Sequence, residues 1–290
     1  MSAAAPALAG CREARDSSAL RADGPALRAE LARSGYLLLR SLLPTEDLAA
    51  ARAAFEHART ATSDVPLGRA GAARREVALQ QRLCASPAVH ALARHPRLLA
   101  LMSDLLERAE VFVHPRPACR IVPPAADRDA ADPTPAHQDH VNMQGTARTY
   151  VAWIPLADCP RTRGPLAVAA RSHLAGPVPH APARGARILS CAADGLDWVS
   201  ADFAPGDVLI FHSLTIHGAL ANQTGATRIS LDCRYQRFDD PVCATSLHAD
   251  EAFSPAAYEH LPGDLPQYDS RDAGLEIVAR DLAYWRADLA

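Results

Sequence analysis

The residues with the most chemical reach lie in Pro135-Ala136-His137-Gln138-Asp139-His140, where an imidazole and a carboxylate stand two positions apart after a loop-like run. In an extended chain both would project to the same side, because strand side chains repeat every second residue. Two histidines and one carboxylate that leave adjacent positions open make the facial triad of non-haem Fe(II) sites. His137 and Asp139 would supply two of those ligands. A His-x-Asp triplet arises by chance in many chains, so a distal histidine has to decide.

Two candidates stand in Pro205-Gly206-Asp207-Val208-Leu209-Ile210-Phe211-His212-Ser213-Leu214-Thr215-Ile216-His217-Gly218. Pro-Gly-Asp reads as a turn, the apolar run after it as a buried strand, and residues 222–225 as a loop between two strands. A four-residue hairpin loop there would set His217 opposite Ser230. Arg228 would then sit one diagonal step away on the same face, roughly 7 to 8 Å off between backbones. An Arg beside a metal ligand points to an anionic cosubstrate, since its planar fork grips a carboxylate through two parallel hydrogen bonds. Five residues along a continuous strand reverse the face, so only one of His212 and His217 can be the ligand, the other being a core or supporting group.

Together, His137-Gln138-Asp139, Trp153-Ile154-Pro155-Leu156, Gly164-Pro165-Leu166 leading to Ser172-His173, Gly206-Asp207, His212, His217 and Arg228 resemble the phytanoyl-CoA dioxygenase family of Fe(II)- and 2-oxoglutarate-dependent oxygenases. The resemblance runs from about residue 34 to 236. It implies iron held by His137, Asp139 and His217, with Arg228, eleven residues beyond the distal histidine, on the far carboxylate of 2-oxoglutarate. It further implies a dioxygenase that consumes O2 and 2-oxoglutarate, releases succinate and CO2, and most commonly hydroxylates a small molecule, with specialised metabolites among the candidates. Asp139 stands where related halogenases carry a small residue, which argues against halogenation; desaturation, epoxidation and cyclisation stay open. One departure is Ala170-Arg171-Ser172-His173, where many members have Pro-Gly-Ser-His, and it bears on the local turn and the pocket wall.

Two other readings of the same residues remain. A cupin-like metalloenzyme without 2-oxoglutarate would keep the three ligands and have no task for Arg228; a catalytically silent small-molecule-binding jelly roll would turn nothing over. Around the triad, Trp153 is a candidate wall of the cosubstrate pocket or a core residue. Ser230 shares a face with Arg228 and either helps it grip the carboxylate or is an ordinary strand serine. His140, Asn142 and Gln144 are candidate substrate contacts, with His140 equally placed to face solvent, and Gln138 points away from the ligands as a structural residue.

The elements that must position these groups read as mainly β with flanking helices. Strands are expected at 111–113, 120–122, 135–140, 149–156, 166–168, 208–212, 216–220 and 227–235, a number that suits a double-stranded β-helix, the cupin-like jelly roll. Helices are expected at 26–34, from Thr45, from Ser86-Pro87 and from Pro96, packed outside a sheet. The expected organisation is one domain over residues 25–290, with a β-helix core at about 108–236. Residues 1–24 read as a frayed tail without the pattern of a signal peptide. Residues 237–290, with Tyr258, Tyr268, Tyr284 and Trp285, read as a cover for the barrel or a subunit contact, so a homo-oligomer stays open. The stretches 123–135 and 172–202 read as long loops that could serve as lids.

Composition narrows the classes. The chain has 290 residues, 49% of them hydrophobic, enough for a substantial core. All 30 basic residues are Arg, and the absence of Lys excludes an internal Schiff base and a Walker A loop. A net charge of -3 leaves no basic footprint for nucleic acid or an anionic membrane. Seven scattered cysteines without Cys-x-x-Cys spacing predict reduced thiols and a cytoplasmic protein. Only Arg74-Arg75 offers a phosphate-gripping pair, so acyl-CoA is a disfavoured substrate.

Overall fold

The structure, a computed structural model, describes residues 6–62, 78–79, 82–84, 86–122, 124, 133–182, 189–247 and 275–279. Its centre is a pair of facing sheets. The larger contains β2 (Tyr36–Leu39), β3 (Phe112–Val113), β4 (Ala118–Val122), β5 (Tyr150–Pro155), β10 (Val208–His212) and β12 (Arg228–Gln236), in the order β2-β10-β5-β12-β3 with β4 also on β12. The smaller contains β1 (Arg12–Glu13), β6 (Leu166–Ala169), β9 (Trp198–Ser200) and β11 (His217–Ala219), in the order β1-β9-β6-β11.

The unbroken apolar runs of β2 and β10 follow from burial on both faces of the larger sheet. Alternate residues Tyr36, Leu38, Val151, Trp153, Leu209 and Phe211 face the smaller sheet, where they pack with Leu166, Val168, Val199 and Phe203. The intervening Leu37, Leu39, Ala152, Ile154, Val208 and Ile210 face a layer of helices. That layer is α1 (Gly24–Ser34), α2 (Ala49–Ala61), α3 (Pro87–Ala93) and α4 (Pro96–Leu106), close to the expected starts. In α1 the Asp23 side chain accepts the Ala26 N–H at 3.0 Å, Pro25 occupies the first turn, and Gly35 closes the helix at φ 83°. Leu27 and Leu31, one turn apart, carry its buried stripe.

Four expectations differ from what is observed. Residues 135–140 are not a strand: His137 makes one antiparallel bridge with His217, and α5 (Asp139–Met143) starts two residues later. The 217–230 segment is not a hairpin. β11 pairs with β6 in the smaller sheet while β12 pairs with β5 and β4 in the larger one, so residues 222–225 carry the chain across the sandwich. Asn222 shapes that crossing by accepting the Thr224 N–H and donating to the Ala226 carbonyl; a sequence reading sees only turn residues between two apolar runs and cannot tell which sheet each run joins.

Residues 6–23 are not a frayed tail, because β1 runs parallel to β9 and Cys11, Ala14 and Ser17 are buried. Nor is 172–202 irregular throughout: β9 sits inside the smaller sheet, and β7 (Ala181–Pro182) pairs with β8 (Leu189–Ser190). Such two- and three-residue strands are too short to show a period. Beyond the core, β13 (Val242–Cys243) pairs with β14 (Ile277–Val278). Tyr258, Tyr268, Tyr284, Trp285, Arg74, Arg75 and most of 123–135 lie outside the described residues. No described helix is long and apolar enough to cross a membrane.

The turn before β10 shows how tightly the sandwich is pinned. Asp207 accepts the Ser41 and Ala204 N–H groups and pairs with Arg40 at 2.7 Å, while Gly206 sits at φ 96° with its carbonyl on the Leu43 N–H. A Cβ at 206 would collide with the Leu43 carbonyl oxygen. Gly206→Ala is expected to cost at least about 2 kcal/mol of stability, from the left-handed strain plus the collision, measured as a lower urea midpoint at constant slope.

Candidate active site

His217 opens β11, and its N–H and C=O exchange 2.9 Å hydrogen bonds with those of His137. That reciprocal pair sets the two imidazoles side by side, with ring centroids 4.1 Å apart. The His137 Nδ1–H donates to the Pro135 carbonyl at 2.9 Å and the His217 Nδ1–H to the Thr215 carbonyl at 3.0 Å. A carbonyl only accepts, so each ring carries a proton on Nδ1 and turns its Nε2, the atom left for a metal, toward the other donors. Asp139, at the start of α5, turns Oδ1 toward them, 3.6 Å from His137 Nε2 and 3.8 Å from His217 Nε2. One donor atom from each residue lies within 4.8 Å of the others, close enough for a single ion to reach all three, and this is the one such three-residue group among the described residues.

The electrostatics suit a cation. Burial pushes the Asp139 carboxyl up, but the Arg234 guanidinium and the two imidazoles outweigh it and hold the group well below the usual carboxylate range. Burial, with neighbouring His137, pushes His217 down to about 3, which keeps its Nε2 unprotonated. Asp139 Oδ2 accepts from Arg234 Nε at 3.0 Å.

β12 supplies the opposite wall. Arg228 is 3% exposed, its Nη1 donates to Ser230 Oγ at 2.6 Å, and its buried Nε–H has no partner among the described residues. Burial lowers the pKa of this guanidinium. A desolvated cation with an unmet donor is costly unless an anion completes it. Trp153, fully buried, likewise leaves its Nε1–H unpartnered. Arg228, Trp153 and the side chains of His137, Asp139 and His217 line one narrow cleft, together with Arg120, Thr134, Asp232 and Arg234.

The structure thus gathers His137, Asp139, His217, Arg228 and Trp153 around one cleft, with Ser230 bonded to Arg228 behind them. His217 and Arg228 meet there from opposite sheets and not as hairpin neighbours. His140, Asn142 and Gln144, on α5 and at its end, are not among the residues lining the cleft. Gln138 is structural: its amide donates to the Gly176 and Leu214 carbonyls and accepts the Val178 N–H. His212 lies on β10 between Tyr150 and His173 and accepts the Leu214 N–H, outside the cleft. A turn at 213–215, not a reversed face on one continuous strand, separates it from His217. Arg171 takes φ 67°, the conformation for which glycine is suited, and Ser172 still bonds Ala169 and Ile216, so the turn survives its altered sequence. Sequence reasoning missed Asp232 and Arg234. The signal was there, since Arg228, Ser230, Asp232 and Arg234 are alternate residues of one strand.

Fold and site define a jelly-roll protein with a two-histidine, one-carboxylate metal site facing a buried arginine. The family model for phytanoyl-CoA dioxygenase matches residues 31–230, and the chain belongs to that family. A curated relative, the 1-deoxypentalenic acid 11-beta-hydroxylase of Streptomyces arenae, is 31% identical over 157 residues, 49% of this chain and 54% of the relative. The chain therefore spans about half the length of that relative. Among solved structures, the epimerase SnoN in complex with Fe3+, alpha-ketoglutarate and nogalamycin RO superposes with a TM-score of 0.60 at 22% identity, covering 76% of this chain and 86% of SnoN. The alpha-ketoglutarate-dependent carbocyclase SnoK from nogalamycin biosynthesis gives 0.57 at 22% identity, covering 79% and 89%. Both share the fold.

Two outcomes follow for the histidines. His217→Ala is expected to abolish high-affinity Fe(II) or Mn(II) binding in calorimetry, and His212→Asn to retain it within about threefold, since only the former removes a donor atom. Burial, with His173 and His140 nearby, pushes His212 down to about 4, against about 6.5 in an unfolded chain. Its contribution to stability is complete above pH 6.5 and is lost as pH falls toward 4. Between pH 6 and 5, urea-measured stability of His212→Asn should fall less steeply than wild type, by up to about 1 kcal/mol.

Proposed function

We propose that the protein is an Fe(II)- and 2-oxoglutarate-dependent dioxygenase that hydroxylates a small molecule, with a specialised metabolite as its substrate class. The observation that carries this reading is the unpartnered, buried Arg228 Nε–H in the same cleft as the triad. A cupin-like metal enzyme without 2-oxoglutarate would have no use for that cation. Family membership supports the cofactor pair, and the similarity to a 1-deoxypentalenic acid hydroxylase and to the nogalamycin epimerase SnoN supports the substrate class.

In this reading His137, Asp139 and His217 hold iron, and Arg228, steadied by Ser230, binds the distal carboxylate of 2-oxoglutarate while Trp153 walls its chain. Iron with 2-oxoglutarate and O2 supplies an oxidant able to break a substrate C–H bond, with succinate and CO2 released. The protein's part is to orient and to exclude water. The Nδ1–carbonyl bonds keep both imidazoles aimed, and the apolar layer around Trp153 and Phe203 keeps the rear of the cleft dry. Hydroxylation, desaturation, epoxidation and cyclisation differ only in the fate of the substrate radical, and the similarity to a hydroxylase of Streptomyces arenae favours the first. His140, Asn142 and Gln144 would touch substrate only where it extends beyond the cleft toward α5. The seven free cysteines, all buried, fit a reducing cytoplasm.

Anaerobic addition of Fe(II) and then 2-oxoglutarate should produce the weak visible charge-transfer band of the chelate. Asp139→Ala should abolish it, and Arg228→Ala should require at least about 100-fold more 2-oxoglutarate, as expected for removal of one member of a buried ion pair. Iron binding without any band in the wild type would sink the 2-oxoglutarate assignment and favour the cupin-like enzyme.

A further inference from the structure

The two oxygens of Asp139 face different partners. Oδ1 looks into the triad, 3.6 and 3.8 Å from the two histidine Nε2 atoms, whereas Oδ2 is held by Arg234 Nε at 3.0 Å. Arg234 is itself restrained. Its side chain is 15% exposed, its Nη1 donates to the Arg116 carbonyl at 3.4 Å, and its backbone pairs with Val151 in the centre of the larger sheet. The neighbouring carboxylate on the same strand face, Asp232, is engaged with Arg120 at 3.8 Å.

A carboxylate can bind a metal through one oxygen or two. In a six-coordinate site with two histidines, the difference decides whether three positions or two remain open. A chelating 2-oxo acid and O2 together need three. A charge-assisted hydrogen bond on Oδ2 opposes its swing onto the metal, and breaking that bond would leave a buried guanidinium without its anion.

We propose that Arg234 is a positioning residue that keeps Asp139 monodentate, withholding Oδ2 so that three adjacent metal positions stay open. This inference rests on the metal-site reading above. It assigns a task to a residue that touches neither iron nor 2-oxoglutarate in that reading.

Mn(II) is the probe, because water-proton relaxation counts the waters bound to it and reads the site without turnover. The wild-type protein is expected to show three Mn(II)-bound waters. Arg234→Met should still bind Mn(II) but show two, and its affinity for 2-oxoglutarate in the presence of Mn(II) should fall at least about tenfold. Arg234→Lys, which keeps the charge and a donor, should move both values back toward wild type. Three waters with unchanged 2-oxoglutarate affinity in a folded Arg234→Met protein, or loss of its Mn(II) binding altogether, would overturn the proposal. Should the Met variant not fold, a crystal structure of the Mn(II)-bound wild type decides: an Oδ2–metal bond there refutes the inference, and Oδ2 on Arg234 supports it. Failure of the wild type to bind Mn(II) at all would instead be a failure of the metal-site reading.

Discussion

Two backbone hydrogen bonds hold the site together: the reciprocal 2.9 Å pair between His137 and His217. Neither residue lies deep in a long strand. His137 precedes a five-residue helix and His217 begins a three-residue strand, so neither segment would hold its imidazole firmly alone. Joined, they place both Nε2 atoms on one side. The Nδ1–carbonyl bonds to Pro135 and Thr215, each two residues upstream, then leave each ring one tautomer and one direction. Everything else in the sandwich serves to keep that bridge dry and in register.

The larger sheet provides the register. Because it is covered on one face by helices and on the other by the smaller sheet, a one-residue slip of β12 would bury its outward row toward the cleft and send the charged row into Leu- and Phe-rich packing. Arg228, Ser230, Asp232 and Arg234 therefore present a fixed row of charge and hydrogen-bonding capacity opposite the triad. The charges on that row are buried, and each must be paired. Arg234 finds Asp139 and Asp232 finds Arg120, while among the described residues Arg228 bonds Ser230 and keeps an unmet Nε–H. The imbalance at Arg228 is the feature on which the proposed binding of an anion beside the metal rests.

The short helix α5 resolves a conflict in the His-x-Asp motif. A continued strand would have aimed Asp139 alongside His137 but kept the chain extended beyond it. By starting a helix at Asp139, with the His140 N–H on the Ser213 carbonyl, the chain turns away and still delivers the carboxylate. Arg171 shows a similar economy. It takes the left-handed conformation that glycine would accept freely, because Ser172 fastens the turn to β6 and to Ile216.

Much of this was determined by the sequence alone. Residue type and spacing singled out His137, Asp139 and two candidate distal histidines, since metal ligation demands particular donor atoms whatever the fold, and the family resemblance chose His217 and pointed to Arg228. Unbroken apolar runs marked β5 and β10, and Pro and Gly punctuation placed the helix starts, because those signals are local. Only the tertiary structure decided that β11 and β12 belong to different sheets, that residues 12–13 and 198–200 complete the smaller one, and that Arg234 reaches the second oxygen of Asp139. Which sheet a strand joins depends on side chains far away in the chain, and two- or three-residue strands carry no period from which to read it. The pairing of buried charges was equally out of reach, for it depends on which desolvated groups the closed sandwich brings face to face.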